Sequence, residues 1–348
     1  MTGVVSEVLS ERPGLQRLAV DVDGRPRHAY VLTGLIGPAA AGDRVVINTV
    51  AVELGLGTGG WDVVHWNLSR SGWEAPGGGH ILKLRYTSLQ VDVGAAEEQA
   101  GYAPGSVAGL PVVVCGLHSQ LGPVAAVFKA LAPDRRLVYV MSDTAALPLA
   151  LSDLVAALRG VHLVDATVTA GQAFGGDYEA VNVPSALEVA AGLARADAVV
   201  VGMGPGGVGT STRLGFSALE MASTLDAAAR AGAHPVVALR WSGADARSRH
   251  RGISHQSTVA LEGCAAPALV GVPKGLEVDL PGAHRVVEVE VPDVAALLAA
   301  AGIDVRTMGR GPSEDPEFFT VAGAAGVLAA GLCPPARPAP AEPSTRPE

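Results

Sequence analysis

A chain of 348 residues, 49% hydrophobic but only 4% aromatic, can bury a sizeable core and must fill it with Ala, Val, Leu and Gly. Its formal net charge of −9 leaves no basic footprint for non-specific nucleic-acid binding. Cys115, Cys264 and Cys333 are far apart and odd in number, which excludes a disulfide framework and a cysteine metal spacing.

Reduced thiols in a cytoplasm are the simple reading. The opening MTGVVSEVLSERPG carries acidic residues and no apolar stretch, so no signal peptide is expected there. No apolar run reaches the ~18 residues of a membrane span. The expectation is a cytoplasmic protein with no membrane partner and no nucleic acid. The sequence leaves a homo-oligomer open.

Residues 1–70 predict a small all-β domain, a barrel or sandwich. Short strand candidates recur at about ten-residue spacing, and Asp23-Gly24 is a hairpin turn signal. The glycine cluster Leu54–Gly60 reads as the turn that closes this unit. Residues 71–110 form a connecting segment marked by Gly and Pro, with a strand expected over Ile81–Thr87.

From Leu110 the rhythm becomes strand then helix, repeatedly. Strands are predicted at 111–115, 137–141, 163–168, 198–201, 236–239, 267–271 and 286–291. Helices are predicted at 123–131, 151–159, 185–195, 213–231, 294–301 and 316–332. This alternation predicts a doubly wound, mainly parallel α/β sheet of Rossmann type over residues 111–333. Residues 334–348, rich in Pro, read as a disordered tail.

In such sheets ligands lie beyond the carboxyl ends of the strands. The exits carry His118, Ser119 and Gln120; Ser142, Asp143 and Thr144; Gln172; then Thr210, Ser211 and Arg213; and finally Arg240. The strands themselves carry almost no polar residues, so a shared crevice is expected at these exits.

The fourth exit is Gly202-Met-Gly204-Pro-Gly206-Gly207-Val-Gly209, with Thr210, Ser211 and Thr212 placed to cap a helix from Arg213. Three readings stay open: a bare crossover turn, an anion site at a helix N-terminus, or a dinucleotide fingerprint. No acidic residue closes the next strand; Arg240 stands there instead. No Walker A motif is present.

His118 and Asp143 are the acid/base candidates, with helix capping by Ser119 and Asp143 as the stronger alternative. Asp245–Ser257 holds Arg247, Arg249, Arg251, His250 and His255, which either clamp an oxyanion or form a solvated basic helix end. His250 and His255 are five apart, the wrong spacing for one helical face, so no metal pair is expected. Met308-Gly-Arg310-Gly311 returns toward the crevice or leads into a helix capped by Asp315. No cofactor is specified.

The segments GGGHILKLRYTSLQ, GLHSQL, YVMSDTAALP, TAGQAFGGDYEAV, GPGGVGTSTRLGFS and RHRGISHQS resemble a domain-of-unknown-function family of bacterial proteins of about this length, typical of actinobacteria. The resemblance covers nearly the whole chain before the proline tail and implies no activity. GGGHILKL, LVYVMSDTAALP and ADAVVVGMGPGGVGTSTRLG are also distantly similar, in order, to the proprotein subunit of the glycine, betaine and proline reductases. That likeness implies a shared scaffold only, because Thr169–Asp177 lacks the cysteine from which that family makes its pyruvoyl group.

The functional expectation is binding, and turnover if the acid/base pair is genuine, of a small anionic metabolite or nucleotide. Arg213 and Arg240 would pair the anion, and the amides of Gly204 to Gly209 would cradle it. A non-catalytic sensor or interaction protein, and an NADP-dependent reductase, are the alternatives.

Overall fold

The first five long strands close on themselves. In the computed structural model, which describes residues 1–56, 59–75 and 77–334, these are β1 (Thr2–Arg12), β2 (Leu15–Val22), β3 (Arg25–Leu32), β4 (Arg44–Asn48) and β5 (Trp61–Asn67). They pair in the order β1-β2-β3-β5-β4, with β4 returning to β1, so the barrel has no free edge. Asp23 and Gly24 turn β2 into β3 with φ of +52° and +77°, the paired left-handed geometry that an Asp-Gly turn favours. Alternate residues such as Leu18, Val20, Ala29, Val31 and Val45 fill the interior. Two single-turn helices, α1 (Thr33–Ile36) and α2 (Val50–Glu53), link the later strands.

The described part of the connecting segment forms a two-residue pair, β6 (Leu82–Lys83) with β7 (Val91–Asp92), and a single 3₁₀ turn at Ala96–Glu98. The strand expected over Ile81–Thr87 stops at Lys83, because Leu84 and Tyr86 take φ of +51° and +59° and the chain turns back.

The second unit is an eight-stranded, all-parallel sheet. In chain order its elements are β8 (Pro111–Cys115), α3 (Leu121–Leu131), β9 (Leu137–Ser142), α4 (Asp153–Gly160), β10 (Ala166–Thr169), β11 (Tyr178–Glu179), α5 (Val183–Gly192) and β12 (Ala198–Met203). They continue with α6 (Glu220–Arg230), β13 (His234–Ala238), the short hairpin β14 (Trp241–Ser242) and β15 (Gly252–Ile253), α7 (His255–Glu262), β16 (Leu269–Pro273), β17 (Arg285–Val289), α8 (Val294–Ala300) and α9 (Pro316–Leu332). The sheet order is β11-β10-β9-β12-β8-β13-β16-β17.

Its central strands are apolar on both faces, as a sheet covered by helices requires. Val113, Cys115, Tyr139 and Val200 face α3, α4, α8 and α9. Val112, Val114, Val199 and Val201 face α5, α6 and α7. This arrangement decides where a crevice opens. The chain leaves β8 toward the α3 face, but leaves its neighbours β12 and β13 toward the α6 and α7 face. The three exits diverge there, and divergence at adjacent strands is the condition for a binding cleft in an open α/β sheet.

The barrel is tied to this sheet at one helix start. Arg12 Nη1 and Arg17 Nη2 each lie 2.5 Å from a different carboxylate oxygen of Asp153, and Arg12 Nη2 donates to the Ala150 carbonyl at 2.5 Å. Among the described residues no helix is long and apolar enough to cross a membrane. The expected tail from Pro335 onward, and part of the Leu54–Gly60 glycine turn, lie outside the described residues.

Candidate functional site

The cleft is a cavity of about 80 Å³ at the exits of β8, β12 and β13. That space holds a few waters or one compact oxyanion and is open on one side. Gly116 and Leu117 supply the β8 side, Met203 the β12 side and Arg240 the β13 side. Gly207 and Gly209 line one wall; Arg249 and His250 line another.

The loop after β12 does not form the expected glycine turn into a capped helix. It doubles back as a hairpin in which Thr210 N donates to the Gly215 carbonyl at 2.7 Å and Thr210 Oγ1 to the same oxygen at 3.0 Å. The hydroxyls of Thr210 and Thr212 lie 2.8 Å apart. These residues use their hydroxyls within the loop, and α6 starts only at Glu220, so the predicted helix from Arg213 begins seven residues late. Ser217 holds the base of the hairpin: its Oγ accepts from Val208 N at 3.0 Å and its N donates to the Val208 carbonyl at 2.8 Å. Gly204 is buried against the chain, where a Cβ would meet the Ala146 carbonyl at 2.5 Å. Gly206, Thr210 and Ser211 are exposed. Arg213 turns outward onto Glu262 at 2.5 Å and takes no part in the cavity.

His118 and Asp143 do not meet. His118 Nδ1 lies 3.0 Å from the Met203 carbonyl and Nε2 lies 2.7 Å from Ser152 Oγ. The carbonyl can only accept, so Nδ1 carries the proton and Nε2 accepts from the serine hydroxyl. Burial pushes the His118 pKa down to about 4, so the ring is neutral at pH 7. Asp143 is exposed and accepts from Gln172 N at 2.8 Å, at the exits of β9 and β10. Gln172 in turn accepts from Arg85 N. The capping alternative also changes residue: Ser152 caps α4, accepting from Val155 N at 2.9 Å, while Ser119 makes no cap bond to α3.

The charge of the cavity comes from Arg240 and the segment after it. Arg240 is 5% exposed. Its Nη1 donates to Gln256 Oε1 at 2.7 Å, and its Nη2 reaches no closer than 3.7 Å to Asp245 Oδ2. Asp245 is already held by Arg247, through Nε at 3.0 Å and Nη2 at 2.9 Å, and by Arg310 Nη2 at 3.4 Å. The Arg247 pair holds the Asp245 carboxyl well below the usual carboxylate range. Asp315, also buried, accepts from Ser242 Oγ at 2.6 Å, Gly243 N at 3.2 Å and Arg310 Nε at 3.1 Å. It serves as a counter-ion and makes no side-chain cap to α9, although Pro316 does open that helix as expected.

Four guanidinium groups, Arg240, Arg247, Arg249 and Arg310, therefore face two carboxylates, Asp245 and Asp315. Burial first, and then the charges of Arg247, Arg310 and Arg249, push Arg240 down to about 10, with Asp245 opposing only in part. His250 is buried, with Nδ1 2.7 Å from Ser254 Oγ. Burial and the Arg240 charge push its pKa to about 4, so it adds no charge at pH 7. His255 stands beside it with ring centroids 5.0 Å apart, and its ring nitrogens are buried with no hydrogen bond of normal geometry. The two rings meet despite their spacing, because His250 precedes α7 in a short 3₁₀ turn and is not on the helix. No group of three or more His, Cys, Asp or Glu side chains that could hold a metal occurs among the described residues.

Of the candidates read from the sequence, Gly207, Gly209, Arg240, Arg249 and His250 come together; Gly204, Gly206, Thr210, Ser211, Arg213, Ser119, Gln172, His118, Asp143 and His255 do not line the cavity. Arg247, read from the sequence only as part of the Arg-rich segment, lines it as well, as do Gln256 from that segment and Met308 from the loop Met308–Gly311, neither of which was named as a site residue. No curated protein and no solved structure matches the chain. The family model described as Protein of unknown function (DUF3866) matches residues 28–326, and the chain belongs to that family.

Proposed function

We propose that the protein binds a small oxyanion, a carboxylate or phosphate group of a metabolite, in the cavity at the exits of β8, β12 and β13. The observation that carries this reading is Arg240: a buried guanidinium with one good side-chain partner, a shared carboxylate out of hydrogen-bond reach, and three further guanidiniums around it. A buried guanidinium with no carboxylate in hydrogen-bond reach is costly unless an anion enters to pair it. Arginine is suited to this task because its planar fork matches carboxylate and phosphate oxygens. Gly207 and Gly209, in the exposed hairpin, line the same cavity without a side chain to block an anion. The reading is one of binding, since the acid/base pair expected from the sequence is not assembled.

Isothermal titration with inorganic phosphate and with acetate tests it. The parent protein is expected to bind one or both. Arg240→Met is expected to weaken binding at least tenfold, about 1.4 kcal/mol. Arg213→Met, outside the cavity, is the control and should bind as the parent does. Equal binding by Arg240→Met and the parent overturns the proposal, as does the absence of binding to either anion.

A further inference from the structure

The geometry points to a ligand whose oxyanion head carries an apolar aliphatic tail. This rests on the reading of the cavity as an anion site and names the class of molecule it takes. The floor and the mouth differ in chemistry. The floor is Arg240 and Gln256, polar and buried. The mouth carries two large apolar side chains turned to solvent, Val208 at 72% exposure and Met308 at 59%, and both line the cavity.

They come from unrelated parts of the chain, and each is held in place by polar contacts that its own side chain does not make. Val208 sits at the base of the hairpin after β12, where both its N and its carbonyl are bonded to Ser217. Met308 sits at the tip of a tight turn closed by reciprocal bonds, Thr307 N to the Arg310 carbonyl at 2.8 Å and Arg310 N to the Thr307 carbonyl at 2.9 Å. That tip has φ of +49°, a conformation unfavourable for a side chain with a Cβ, followed by Gly309 at +84°. Arg310, at the base of the turn, is held by Asp315 and Asp245, the same carboxylates that balance the arginines of the floor. The turn that lifts Met308 to the mouth is therefore built on the charge network of the site.

Single exposed apolar residues are ordinary on a protein surface. Two that line one cationic cavity make a site for an amphiphile: head on Arg240, tail leaving past Val208 and Met308. Leu117 and Met203 add further apolar lining. A flexible thioether accommodates tails of different length. A fatty carboxylate and an alkyl phosphate share this chemistry.

Titration calorimetry along acetate, butyrate and hexanoate, and along methyl and butyl phosphate, tests the inference and separates the two heads. Each methylene buried at the mouth is expected to tighten binding about fourfold until the tail clears Met308. In Val208→Ser/Met308→Ser, which should melt as the parent does because both side chains are exposed, hexanoate is expected to bind no tighter than acetate. Affinity independent of tail length in the parent overturns the inference while leaving the compact-anion reading intact. A tail dependence that persists in the double variant also overturns it. Failure of every anion, acetate and phosphate included, overturns both.

Discussion

Asp245 and Arg240 approach to 3.7 Å across the floor of the cavity without forming a hydrogen bond, while Arg247 takes the same carboxylate at 2.9 Å. One buried carboxylate thus serves three guanidiniums. Asp245→Asn would leave Arg240, Arg247 and Arg310 to repel one another, and removing one partner of a buried ion pair costs about 3–5 kcal/mol. Urea denaturation should show that loss. Saturating phosphate is expected to restore part of it, because an anion on Arg240 replaces the missing charge. A variant whose stability ignores phosphate would contradict the anion site.

His118 and His250 give the protein a defined acid weakness. Both pKa values fall from the ordinary 6.5 to about 4 in the folded state. Between those values the unfolded chain binds more protons, so stability falls as pH drops from about 6.5 to about 4 and the contribution levels off below. The slope approaches about 1.4 kcal/mol per pH unit for each histidine. Denaturation of the parent and of His118→Gln at pH 7, 6 and 5 isolates one share. The two curves should converge as pH falls, and parallel curves would refute the assignment.

Ser152 has two duties, capping α4 and donating to His118. Ser152→Ala removes a cap and leaves Nε2 without its donor, for a loss of about 1–3 kcal/mol. Thermal melting measures it. Ser119→Ala, which removes no cap, should melt within a degree or two of the parent.

Lys83 is 1% exposed, donating to the Ala180 carbonyl at 2.9 Å and lying 3.5 Å from Glu179. Burial lowers the Lys83 pKa and raises that of Glu179. Lys83→Met should cost about 3–5 kcal/mol by stranding the carboxylate, and Glu179→Gln added to it should recover part of the loss. A double-mutant cycle in urea decides this, and strict additivity would show that the pair is not coupled.

The sheet was legible in the sequence because its strands are short, continuously apolar and separated by helical periodicity; β8, β9 and β12 need no tertiary information to be found. The loop after β12 was not, since Thr210 and Thr212 satisfy their hydroxyls as well in a hairpin as at a helix start. Arginine roles were legible only as a group. Whether an arginine serves a ligand depends on the acid it meets in the fold: Arg213 finds Glu262, and Arg240 finds a carboxylate already taken. His118 and Asp143 follow adjacent exits in the written order, yet β12 lies between β8 and β9, and the two side chains turn opposite ways.

Asp153, gripped by both barrel arginines, is the immediate neighbour of Ser152, which holds His118, which in turn holds the Met203 carbonyl at the cavity's edge. Six residues, the two arginines included, thus form an unbroken mechanical linkage from the amino-terminal barrel to the cavity. Cutting the barrel away would free that linkage at its far end, leaving the α4 start without its two arginine partners.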